Sequence, residues 1–130
     1  MFEIKYKVTI GDINYGGHMG NEVPLRLFHQ VRIDFFNSLG SSELNLAENI
    51  GTIQIESFVK YKKEAFLGDV LTLKISNISI EKSTMKMDYE ILNQNQDIVV
   101  IGNTILLGYD YGKKKISRIP LEFVEKIRLI

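Results

Sequence analysis

Residues Gly11 to Glu22, G-D-I-N-Y-G-G-H-M-G-N-E, stand between a strand pattern and a helix pattern and decide how the rest of the chain is read. Upstream, Phe2, Ile4, Tyr6, Val8 and Ile10 alternate with Glu3, Lys5, Lys7 and Thr9, the period of two that gives a strand one apolar and one polar face. Downstream, a mostly apolar helical stretch runs from about Val23 to Leu39 and stops at Gly40, the residue that most cheaply takes the left-handed conformation past a helix end. Between them Gly16, Gly17 and Gly20 mix with Asp12, Asn14, His18 and Glu22. A backbone that bends this sharply frees amide N–H groups, and the first turn of a helix adds more that have no partner. Such a corner is suited to holding an oxyanion beside groups that move protons.

Length and composition narrow the field. A chain of 130 residues reads as a single domain, 1–130, and a domain of this size buries roughly two thirds of the surface its unfolded chain exposes. Lys plus Arg and Asp plus Glu balance at 16 each, with one local basic cluster at Lys113 to Lys115 beside Arg118, so no overall field favours nucleic acid or an anionic membrane. The absence of cysteine removes disulfides, thiolate catalysis and cysteine-ligated zinc. His18 and His29 lie far apart without a clustered acid set, so no metal site is expected. Nothing approaches the roughly 18 apolar residues of a membrane span, and M-F-E-I-K-Y-K lacks an apolar signal region. A cytoplasmic protein is expected.

Beyond the helix, Ser41 to Asn49 reads as a loop with a short helical turn, suited to a lid or pocket wall. Strand patterns follow at Thr52 to Phe66, Val70 to Ile80, Met85 to Ile91 and Ile98 to Tyr109, with turn signals at Gly68-Asp69 and Asn93 to Asp97. These connections are too short for parallel crossovers, so the sheet is antiparallel. Pro120 suits the first position of a terminal helix with Leu121, Val124 and Ile127 toward the protein. One long helix and about five strands give an α+β fold in which a five- or six-stranded sheet wraps the helix.

This order resembles the hotdog fold. The segment T-I-G-D-I-N-Y-G-G-H-M-G-N-E is similar to the first-loop signature of the acyl-CoA thioesterases related to 4-hydroxybenzoyl-CoA thioesterase. Q-V-R at Gln30 to Arg32, Y-K-K-E-A-F-L-G-D at Tyr61 to Asp69 and R-I-P-L-E-F at Arg118 to Phe123 fit the same family. The resemblance implies hydrolysis of an acyl-CoA or acyl-carrier-protein thioester, without a cofactor, in a homodimer or dimer of dimers whose clefts lie at the subunit interface. It also implies that a backbone N–H at Gly20 or Asn21 holds the oxyanion. The family's turn usually reads D-x-D, and its second acid acts as nucleophile or base in many members; here that place is Asn14, which takes no proton, so either another carboxylate activates water or Asn14 positions the water or thioester. The expected base is then Glu22, at the helix start where the dipole favours a carboxylate, or Asp12. His18 lies on the loop of the expected cleft. Tyr15 and Gly17 border the substrate, and Lys62 or Lys63 is placed to reach the phosphates of coenzyme A.

Each residue also has a structural reading. Asp12 and Asn14 are common turn residues, Asn21 suits an N-cap, Glu22 complements a helix dipole, and the lysines fit a solvated face. His29, inside the helix, is expected to pack against the sheet or a partner. Two other functions share the fold. D-x-N-x-x-x-H at Asp12, Asn14 and His18 is close to a hydratase motif, although its histidine is one residue late and Tyr15 stands where proline is usual. A non-catalytic acyl-thioester-binding domain fits the missing acid at Asn14.

Overall fold

The computed structural model describes residues 1–130. Strand β1 (Phe2–Lys7) leads through a 3-10 turn (Ile10–Asp12) to helix α1 (Val23–Ser38). There follow β2 (Ile50–Tyr61), β3 (Val70–Glu81), β4 (Thr84–Leu92), β5 (Ile98–Asp110), the short β6 (Lys115–Ile116) and helix α2 (Leu121–Arg128). The strands form one antiparallel sheet in the order β1-β3-β4-β5-β2, with β6 added to β5. The architecture is the α+β one expected, a sheet around a central helix. Neither helix is long and apolar enough to cross a membrane.

Leu27, Phe28, Val31 and Phe35, spaced as one helical stripe, and Phe36 beside them are each at most 1 % exposed. They pack against a sheet face built by Leu71, Leu73, Ile75, Met85, Met87 and Ile91. Burying each such side chain contributes about 1.5–3 kcal/mol before conformational entropy is counted. The Phe28 ring packs directly on the sheet at Gly102. A Cβ there would lie 2.3 Å from the Phe58 carbonyl oxygen and 2.7 Å from the Phe28 ring, so any larger residue would drive helix and sheet apart. Phe28 in turn stacks on Tyr89, ring centroids 4.4 Å apart.

A buried polar chain crosses this core. Arg32 donates to Glu43 (3.0 Å) and to the Tyr89 hydroxyl (3.2 Å), which shares a hydrogen bond with Thr104 (2.7 Å). Burial pushes the Tyr89 pKa up, so its hydroxyl stays neutral and accepts from Arg32. His29, expected to pack against the sheet or a partner, does not pack on the sheet: it is half exposed and reaches the other oxygen of Glu43 (3.0 Å).

Several expectations need correction. The second strand ends at Tyr61 rather than Phe66, because Lys62 and Lys63 both donate backbone N–H to Val99 O and the chain leaves the ladder. Ile98–Asp110 lies inside the sheet, paired with β4 on one side and β2 on the other, so β2 and β1 are the edges. Ile10 does not continue the apolar face of β1 but stands 76 % exposed on the 3-10 turn. Pro120 is the N-cap of α2, not its first residue, which turns Leu121 to solvent and buries Phe123 edge-on against Phe36. Ser41 to Asn49 has no helical turn; Leu46 and Ala47 tuck into the interior, and Glu43 ties the segment to α1.

Candidate active site

The loop between β1 and α1 is held by its own main chain. Ile13 and Met19 form an antiparallel bridge, Asn14 N–H donates to His18 O (3.0 Å), and Gly17 N–H donates to Asn14 O (3.1 Å). Two longer-range bonds fix the assembly: Gly20 N–H to Asp12 O (2.9 Å) and Met19 N–H to Ala65 O (2.8 Å). The second pins the chain leaving β2 against the loop. Beside them opens a cleft of about 230 Å³, lined by His18 to Asn21 and Pro24 from the loop and helix start, by Tyr61 to Ala65 at and after the end of β2, and by Val99 and Val100 of β5.

Asp12 lies outside this cleft and is 2 % exposed. One oxygen accepts from the Tyr6 hydroxyl (2.6 Å), Thr9 N–H (2.9 Å) and the Thr9 hydroxyl (3.1 Å); the other accepts from Arg26 (2.6 Å). Burial acts to raise its pKa, but the hydrogen bonds from Arg26, Tyr6 and Thr9 outweigh it and hold the carboxyl at about 2. This geometry makes Asp12 the anchor of the 3-10 turn and leaves it no free lone pair aimed at the cleft.

The Gly20 amide is occupied by Asp12 O, whereas the Asn21 and Glu22 amides donate to nothing in the protein. Asn21 lines the cleft just before the first turn of α1, so its N–H is an unpaired donor where the helix dipole is positive. Tyr61 O–H donates to Asn21 O and holds the next peptide, Asn21–Glu22, in place. Glu22, not Asn21, is the N-cap of α1, and its side chain makes no capping bond. Its carboxylate folds over Gly20, where a Cβ would meet both oxygens at 2.6 Å, and it is not among the cleft-lining groups.

The thioesterase-like superfamily matches residues 8–127. The chain belongs to it. Among solved structures, a 1,4-dihydroxy-2-naphthoyl-CoA thioesterase from Synechocystis superposes with a TM-score of 0.87 at 17 % identity, over 98 % of this chain and 95 % of that one. A Staphylococcus aureus protein solved in complex with CoA gives a TM-score of 0.85 at 22 % identity, covering 98 % and 82 %. A DHNA-CoA thioesterase from the same organism gives 0.82 at 18 %, covering 98 % and 91 %. No curated protein matches in sequence. The fold is the hotdog of this thioesterase-like superfamily.

His18, half-buried, lines the cleft with Nδ1 3.1 Å from Met19 O. Asn14 does not line it; its carboxamide oxygen accepts from Gly16 N–H (2.8 Å) in a local turn. Tyr15 and Gly17 form the exposed tip of the loop, away from the cleft wall. Lys62 and Lys63 both line the cleft, but the Lys63 side chain is paired with Asp97 (2.7 Å) while the Lys62 ammonium has no hydrogen bond or ion pair. The loop 41–49, expected as a pocket wall, contributes nothing to the cleft. One lining residue went unremarked in the sequence: Glu64, the only carboxylate on the wall. Its signal was there, since Lys62-Lys63-Glu64 puts three charged residues in a row where a strand would alternate.

Proposed function

We propose that this protein hydrolyses an acyl-CoA thioester to the free acid and thiol. The observation that carries the reading is the unpaired Asn21 amide in the cleft of a thioesterase-like chain, placed to bind the carbonyl oxygen as it becomes an oxyanion. CoA is favoured over a carrier protein by the unpaired Lys62 at the cleft, which suits a phosphate, and by the CoA complex of the Staphylococcus aureus neighbour. The hydratase reading loses support because Asp12 is committed to Tyr6, Thr9 and Arg26 and gives His18 no acid partner.

A panel of acyl-CoA substrates followed by thiol release tests the reading, with Asn14→Asp run beside the wild type. The new carboxylate would stand next to His18 on the loop, since Asn14 Oδ1 and His18 Nε2 would each lie 3.3 Å from a Cβ at Gly16. That places a new negative charge beside the cleft, so turnover is expected to change by about 3-fold or more. Ligand binding without thiol release in either protein would leave a binding domain instead.

The same reading includes a homodimer. The outer edge of β2 is 12 residues long, with Ile55 and Phe58 half exposed, a surface that is an aggregation hazard if left bare. The single-chain cleft, about 230 Å³, is smaller than the ~300–1,000 Å³ of complete small-molecule sites, which fits walls supplied by a second copy. Sedimentation is expected to show a dimer at micromolar concentration; an active monomer would reject it.

A further inference from the structure

We propose that Glu64 is the carboxylate that activates water in this cleft, taking over the task that Asn14 cannot perform. The inference rests on the thioesterase reading above and adds to it the identity of the base.

Three observations converge on Glu64. It is the only acid among the residues lining the cleft, where Asp12 and Glu22 do not appear. Its carboxylate takes part in no hydrogen bond or ion pair, in contrast to Asp12, which is fully engaged, and Asp97, which is held by Lys63. And its backbone is fixed from both sides. On one side Lys62 and Lys63 donate to Val99 O at 2.8 and 3.1 Å; on the other, Ala65, 2 % exposed, accepts from Met19 N–H at 2.8 Å. An unpaired carboxylate can accept a water proton, and the backbone fixed on both sides keeps its Cα at the cleft, which suits a general base.

The strand break at Tyr61 is what brings Glu64 to the wall. The chain turns out of the sheet at Lys62 and crosses toward the loop, so Glu64 and Asn21 line one cleft, with the Tyr61 hydroxyl donating to Asn21 O between the two segments. The reaction then runs between the two walls. As the water oxygen bonds to the thioester carbonyl carbon, one water proton passes to the Glu64 carboxylate and the carbonyl oxygen becomes an oxyanion held by Asn21 N–H. Collapse of the tetrahedral intermediate breaks the C–S bond. The proton on Glu64 passes to the departing sulfur, giving the thiol and the carboxylic acid and restoring the Glu64 carboxylate.

The test is steady-state thiol release from a panel of aromatic and aliphatic acyl-CoA substrates by the wild type, Glu64→Gln and Glu22→Gln. Glu64→Gln is expected to lower kcat by about 100-fold or more with KM changed by less than about threefold, the signature of a lost transition-state contribution. Because Glu64 makes no hydrogen bond or ion pair, its thermal unfolding should coincide with the wild type, so the loss cannot be assigned to misfolding. An active wild type with Glu64→Gln within about threefold of it overturns the assignment while leaving the thioesterase reading intact. A collapse in Glu22→Gln alone also overturns it and gives the role to Glu22. A wild type that releases no thiol from any substrate removes the thioesterase reading, and this assignment falls with it.

Discussion

Glu43→Ala is expected to destabilise the protein by about 3 kcal/mol, more than removal of the arginine it pairs with. The Arg32 side chain is only 6 % exposed, and Glu43 is its sole anionic partner. Deleting Glu43 therefore leaves a charge in the core compensated by one tyrosine hydroxyl, the situation in which breaking a buried pair costs about 3–5 kcal/mol. The partial exposure of Glu43, at 29 %, places the expected value at the lower end, since water can approach the abandoned guanidinium. Arg32→Met removes the charge instead. Tyr89 then keeps Thr104, Glu43 keeps His29, and a flexible apolar side chain fills the space, so a loss below about 1.5 kcal/mol is expected. Urea unfolding of both single variants and the double variant measures this. If Glu43→Ala proves the milder change, the guanidinium is better hydrated than its burial states, and the pair is no clamp on the loop 41–49.

A loss of about 2–3 kcal/mol near neutral pH is expected for Asp12→Asn, and it should shrink in acid. The amide cannot serve all four donors: with its oxygen toward Tyr6 and Thr9, its NH2 confronts the Arg26 guanidinium. The wild-type carboxyl has a pKa lowered from 3.8 to about 2, so its stabilising contribution is complete above about 3.8 and is lost as pH falls through about 2. That gap is worth roughly 2 kcal/mol at most, and the exposure of Arg26 reduces it to about 1–2 kcal/mol. Denaturant midpoints at about pH 6 and about pH 3 should bring wild type and variant closer, with the carboxyl-dependent part of the gap roughly halved. A gap that stays constant or widens would show that Asp12 is not ionised against Arg26 in the folded protein.

What could be read from the residues alone follows physical lines. The apolar stripe Leu27, Phe28, Val31, Phe35 is a local pattern of period 3.6 and survives folding unchanged, as does the stop at Gly40, which takes φ 73°. The alternation of Met85, Met87, Tyr89 and Ile91 likewise gave its strand and its buried face. Asp12 is different. Its partners Tyr6 and Arg26 come from a strand and a helix on either side of the turn, and nothing in a one-dimensional spacing says that they meet. Which amide at the helix start stays free was equally hidden, because it depends on Asp12 O reaching back to Gly20 rather than to Asn21. Glu64 fell inside a strand pattern extended too far, and the pairing of Lys62 and Lys63 with a single carbonyl, Val99 O, is a property of the finished sheet.

The two main-chain bonds that clamp the first loop, Gly20 to Asp12 and Met19 to Ala65, separate what this scaffold must conserve from what it is free to relocate. Neither bond involves a side chain, so on the proposed mechanism the place where negative charge accumulates is set by the backbone path and does not depend on residue identity. The proposed proton-handling group is a side chain, and a substitution at one loop position can leave its task to a carboxylate elsewhere in the cleft. Sorting such chains into active and inactive by the residue at one loop position would then misclassify those whose acid has changed sides. A better criterion is whether any carboxylate stands across from the unpaired amide.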